Sequence, residues 1–166
     1  QTWDVAVRMW RLTPDAALRR SSRRLAAEQL ILSGDIRRGT LELERALDDV
    51  GVRRPPRFVM MAAIPLRERR LLFARDVLPT RAPTAAPSDV EGLDVRAAVF
   101  RSMNLVDPIT TAYHLYGHGL LARELGDVTR FAESFVMAVM AYATMHGTTK
   151  ADVIARLRAS LAPATR

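Results

Sequence analysis

A helix-turn-helix pattern occurs twice in this chain, and that duplication restricts its architecture more than any other feature. The first copy is LAAEQLILSGDIRRGTLELERAL (Leu25 to Leu47), the second YGHGLLARELGDVTRFAESFVMAV (Tyr116 to Val139). Aligning Gly34-Asp35 with Gly126-Asp127 brings Ala27 onto Gly119 before the turn and Ala46 onto Ala138 after it, small residues where two helices must approach closely. Bulky Leu43 falls on Phe135. One such hairpin cannot bury its apolar face alone, so stacked hairpins share a core and offer a concave surface to a partner. The pattern points to binding rather than chemistry.

Helix punctuation extends the reading along the chain. Thr13 before Pro14 predicts an N-cap with proline at the first helical position, opening a helix that stops at Gly34. Asp35 caps a second helix with Ile36, Leu43, Leu47 and Val50 on one face, ending at Gly51. Pro55-Pro56 opens a third through Met60, Ile64, Leu71 and Leu72, which Pro65 should kink or break because it has no N–H for the preceding turn. Residues 77 to 88, VLPTRAPTAAPS, read as an irregular Pro-rich loop. Ser88 with Glu91 predicts a capping box and a helix from Asp89 to Asn104. Asp107-Pro108 starts the next, ending at Gly126; Asp127 caps another reaching His146 before Gly147; Thr148 or Thr149 begins a last one through Val153, Ile154, Leu157 and Leu161. No alternating strand pattern appears. The expectation is an all-α chain of seven or eight helices in antiparallel hairpins.

At 166 residues and 49% hydrophobic, the chain is long enough for one domain spanning 1–166. It has no cysteine, which excludes disulfides, thiol nucleophiles and iron-sulfur ligation and suits a reducing cytoplasm. Arginine interrupts every hydrophobic stretch well before the roughly 20 residues of a membrane span, so no membrane partner is expected. Thr2-Trp3-Asp4-Val5 already enters a helical pattern. This suggests a fragment of a longer array, with Trp3, Val7 and Trp10 as apolar surface left by a missing neighbour.

The net charge is +7, and all the excess is in the first half: residues 1 to 83 carry 17 Arg against 10 acids, residues 84 to 166 eight basic against eight acidic. Arg19, Arg20, Arg23 and Arg24 recur at helical spacing, followed by Arg53, Arg54, Arg57 and by Arg67, Arg69, Arg70. One reading is a phosphate-binding patch for nucleic acid. The other is a solvated face in an Arg-rich composition, since Lys150 is the sole lysine. No aromatic residue interleaves the Arg runs to stack bases, which leaves nucleic acid as the second choice.

Catalytic patterns are sparse. His114 and His118 are four apart, a spacing that can hold a metal, but no third ligand is nearby and HLYGH lacks the acid of a zinc-protease helix. Both also fit ordinary packing or surface positions. Glu42, Glu44, Asp48 and Asp49 read as a solvated face paired with Arg38 and Arg45. Phosphate-binding glycine loops and a GxSxG elbow are absent, and Ser21, Ser22, Ser102 and Ser134 have no His at a readable spacing. Gly117 and Gly119 fit close helix packing. Met60, Met61, Met137, Met140 and Met145 fit either a plastic peptide-binding lining or core filler. In a recognition array the first helices of the hairpins supply Arg20, Arg24, Gln29, Tyr113 and Tyr116 as candidate partner-binding residues, Arg and Tyr being the side chains that most often dominate interfaces. No cofactor is implied. A third reading is a small-ligand or metal site at His114 and His118 with Tyr113 or Tyr116.

Both hairpin copies resemble degenerate tetratricopeptide (TPR) hairpins, which implies a short TPR-like solenoid. Three segments carry a narrower resemblance: AAEQLILSGDIRRGTLELERALDDVGVRRPP (Ala26 to Pro56), LDVRAAVFRSMNLVDPITTAYH (Leu93 to His114) and ARELGDVTRFAESFVMAVMAYATMHG (Ala122 to Gly147). They resemble the C-terminal helical region of large bacterial serine/threonine protein kinases, in which a kinase domain is followed by a P-loop ATPase module of the STAND or AAA type and then by TPR-like repeats. Their order and separation match, including the Pro-rich stretch before Leu93, from about Ala16 on. Kinase and nucleotide motifs have no counterpart here, so only structural positions carry over: Gly34, Gly39, Gly51, Asp107, Pro108 and Gly126 as turn and cap residues. The resemblance implies a non-catalytic sensor or regulatory tail of a signalling kinase. Its partner would be a protein, peptide or small-molecule effector, including other domains of the same parent chain.

Overall fold

A computed structural model describes residues 15–73 and 86–146, together with Asp152 and Ala155. Its helices are α1 (Ala16–Leu32), α2 (Ile36–Asp49), α3 (Arg57–Leu72), α4 (Pro87–Ser102), α5 (Pro108–Glu124) and α6 (Val128–His146). All regular structure among the described residues is helical, in six helices rather than seven or eight. Trp3, Val7, Trp10, residues 77–85 of the expected loop and the expected last helix, apart from Asp152 and Ala155, lie outside the described residues.

Three glycines end helices by the same device. Gly34, Gly51 and Gly126 have φ of 93°, 70° and 75°, a left-handed conformation that a residue without Cβ adopts at little cost. After each, a backbone N–H reaches five residues back at 2.9 Å: Asp35 to the Leu30 carbonyl, Val52 to Leu47, Asp127 to Ala122. The carboxylates of Asp35 and Asp127 then accept from the N–H groups of Arg38 at 3.4 Å and Arg130 at 3.0 Å, capping the next helix. The turns at Gly34-Asp35 and Gly126-Asp127 therefore match, and α1–α2 and α5–α6 form two tight hairpins.

Four local expectations are corrected. Asp15, not Thr13, caps α1, its carboxylate accepting from the N–H of Ala17 at 2.8 Å and of Leu18 at 3.4 Å. An anionic cap suits the positive end of the helix better than a hydroxyl. Helix α3 runs unbroken through Pro65, because the carbonyl deprived of a donor belongs to solvent-exposed Met61. Helix α4 starts at Pro87 with Ala86 as N-cap, and Asp89 accepts from the Ala86 N–H at 3.1 Å. The Ser88–Glu91 box is not made, since Glu91 is engaged by Arg20 of α1. Finally, Gly39 is no turn: it lies inside α2, where an added Cβ would fall 2.9 Å from the Ala27 carbonyl oxygen and against Ile31 of α1.

Helix α5 is the centre of the fold, packed against α3, α4 and α6, while α4 also receives the α1–α2 hairpin. Helix α4 is buried on two faces: Leu93, Ala97 and Phe100 join a core with Leu115, Tyr116, Leu120, Phe131 and Phe135. Val95, Ala98 and Val99 join a second core with Ala27, Ile31, Leu43 and Leu47. That double burial explains the unbroken apolar run Ala97-Ala98-Val99-Phe100. The expectation of hairpins stacked in chain order meets a different arrangement. The two matching hairpins share no substantial contact with each other, since α4 lies between them, and α3 sits beside α5 and α6.

Candidate functional site

Four of the five expected partner-binding residues serve internal contacts. Arg20 grips Glu91 of α4 with both arms, Nε at 2.7 Å and Nη2 at 2.8 Å, and Arg24 Nη1 donates to the Asp94 carbonyl at 3.3 Å. Tyr113 is 8% exposed, beneath the Arg67 guanidinium. Tyr116 is 1% exposed, and its hydroxyl donates to Glu68 at 2.6 Å; burial and that carboxylate raise its pKa above the ordinary range. Gln29 alone of the five is exposed. The five do not share one surface.

Four of the ten arginines in the basic runs pair with acids, Arg20 with Glu91 among them. Arg23 pairs with Asp49, Arg54 with Glu44, and Arg57 with Asp107 at 3.0 Å. In the second half, Arg101 meets Glu133 at 2.9 Å and Arg130 meets Asp94 at 2.9 Å. Part of the positive charge read as a patch is thus committed to internal ion pairs.

The two histidines have different surroundings. His118 is fully buried, with Nδ1 against Ser134 Oγ and its ring edge-on to Phe100. Ser134 therefore does have a histidine partner, about two turns into α6, which linear spacing could not show. Ser134 Oγ also reaches the Arg130 carbonyl at 3.1 Å, and both side chains are fully buried. Burial and nearby arginines push the His118 pKa down to about 4. His114 is also fully buried, neither ring nitrogen has a partner, and burial with Arg96, Arg67 and Arg54 pushes its pKa down to about 3. Among the described residues no three His, Cys, Asp or Glu gather in a way that could hold a metal.

The methionines separate by position. Met60 is core at 2% exposure, whereas Met137, Met140 and Met145 of α6 are 39%, 56% and 73% exposed. These three line a cleft of about 330 Å³ between α6 and the start of α5, floored by Phe100, Leu115 and Tyr116. Its polar rim is slight, chiefly Asn104, Thr111 and Thr144. An apolar cleft edged by flexible thioethers can accept an apolar segment and offers no acid-base pair for chemistry. The i, i+3 spacing of Met137 and Met140 signals a shared face, but not which neighbour leaves it open.

No protein-family model, curated protein or solved structure matches the chain.

Proposed function

We propose that this chain is a non-catalytic helical-repeat module that binds a protein or peptide partner, the sensor or regulatory region of a signalling serine/threonine kinase with an ATPase module. The observation that carries the binding role is the methionine-lined cleft beside α5, apolar, open and without a catalytic constellation. The matching turns at Gly34-Asp35 and Gly126-Asp127 support the repeat reading. The three kinase-tail-like segments support the regulatory context. A partner that lays apolar anchors on Met137 and Met140 fits this face best, and a cytoplasmic setting suits it.

Selection of displayed peptides on purified residues 1–166 tests the reading. Enriched peptides should carry apolar anchors and lose about tenfold or more in affinity, about 1.4 kcal/mol, when Met137 and Met140 are both changed to Glu. Neither ATP hydrolysis nor phosphotransfer should exceed background. Turnover abolished by a single substitution within the chain, or peptides that bind the double variant equally well, overturns the proposal.

A further inference from the structure

Gly117 lies on the flank of α5 opposite the methionine-lined cleft, and two arginines from different helices meet over it. A Cβ placed on Gly117 would fall 2.8 Å from Nη1 of Arg67, on α3, and 3.2 Å from Nη1 of Arg96, on α4. Both guanidinium ends lie where a side chain at position 117 would displace them. Arg67 is held in place: Nη1 donates to the Tyr113 carbonyl at 3.0 Å, Nη2 to the Tyr113 hydroxyl at 2.9 Å, and Cζ lies 3.8 Å above the ring. Arg96 is half-buried and its Nε has no hydrogen-bond partner.

Neither guanidinium has a carboxylate partner among the described residues. Arg20, Arg57, Arg101 and Arg130, by comparison, each bridge helices to an acid. Two like charges held together and partly desolvated oppose folding unless something neutralises them. Burial and Arg67 accordingly push the Arg96 guanidinium below its ordinary range. His114 beneath them stays neutral near pH 7 and adds no third charge.

We propose that Arg67 and Arg96 clamp a phosphate monoester or free phosphate over Gly117. Two unneutralised cations call for about two negative charges, and a phosphoryl group supplies about −1.5 to −2 at pH 7, against −1 for a carboxylate. Forked guanidinium donors match phosphate oxygens in geometry as well as charge. This site does not depend on the cleft: a peptide can fail to bind there while phosphate binds here, and the reverse.

Calorimetric titration of purified residues 1–166 tests the clamp with four probes: inorganic phosphate, a phosphoserine peptide, its unphosphorylated twin, and glutamate. Saturable one-to-one binding is expected for the phosphorylated probes and not for the twin or glutamate. Tighter binding of the phosphopeptide than of the free ion assigns the source to a modified partner; the opposite order assigns it to a small phosphate. Arg96→Gln should weaken binding by about tenfold or more, the loss of one charged donor group. Its melting temperature without phosphate should stay level or rise, which a merely structural arginine would not show. Gly117→Ala should weaken binding with both arginines present, and Arg69→Gln, at an exposed position, should not. Absence of saturable phosphate binding, equal binding of glutamate, or full binding by Arg96→Gln overturns the proposal.

Discussion

The phenolic hydroxyl of Tyr116 donates to Glu68 Oε2 at 2.6 Å, joining the middle of α5 to α3 across 48 residues of sequence. The ring itself is core, packed with Phe100 and Leu115. The bond therefore gives a buried polar tip its partner and fixes α3 against the central helix. Tyr116→Phe should lower unfolding free energy by about 1.5 to 3 kcal/mol, the range for a hydrogen bond to a charged group. Urea denaturation measures it; an unchanged midpoint would show that the bond contributes nothing.

Acid should destabilise the fold well above the carboxylate range. The His114 and His118 pKa values are depressed to about 3 and about 4, below the ordinary value of about 6.5, so between these limits the unfolded chain binds protons that the folded chain refuses. Stability is complete above pH 6.5 and lost as pH falls towards the folded values. At pH 5 the loss should be about 2 kcal/mol per ring. Replacing both with Gln should flatten the melting temperature between pH 7 and pH 5; a profile as steep as the wild type's would place the effect elsewhere.

Close helix contact at Gly39 should tolerate no side chain. Gly39→Val drives carbon into the Ala27 carbonyl and Ile31, backbone and core that cannot move aside, at a cost of about 1 to 3 kcal/mol or more. Gly119→Leu should also cost about 1 to 3 kcal/mol, since even a Cβ there meets Leu71 at 2.9 Å and Ser134 at 3.1 Å. Gly117→Ala should cost less, because it meets only the ends of two arginine side chains. Thermal melts of the three variants rank them; Gly117→Ala as the most damaging would contradict the packing described.

The matching turns should respond alike. Gly34→Ala and Gly126→Ala each force a Cβ into the left-handed region, with about 1 to 2 kcal/mol lost at each. Losses differing several-fold would mean that the two hairpins are held differently despite their shared turn.

Helix ends were legible because they depend on a few neighbouring atoms. Gly34, Gly51 and Gly126 stop helices through their own φ, and Asp107 caps α5 with its carboxylate on the N–H groups of Ile109 at 3.2 Å and Thr110 at 3.3 Å. Even locally, sequence alone misplaced the start of α1, whose cap is Asp15 in an extended conformation with φ −71° and ψ 119°. Gly39 was misread for a related reason: a glycine that admits a neighbouring helix looks the same in sequence as one that ends its own.

What sequence by itself determined is the all-helical character of the described residues, their turns and the pairing of α1 with α2 and α5 with α6, since these follow from short-range dihedral preference and capping. Tertiary structure decided that α4 separates the hairpins, that Glu91 leaves its own helix end for Arg20, that Ser134 meets His118, and that Arg67 and Arg96 converge on Gly117. Those outcomes depend on which buried faces meet. Several helices here are apolar on more than one side, so periodicity leaves their partners open and only the simultaneous burial of all six selects them.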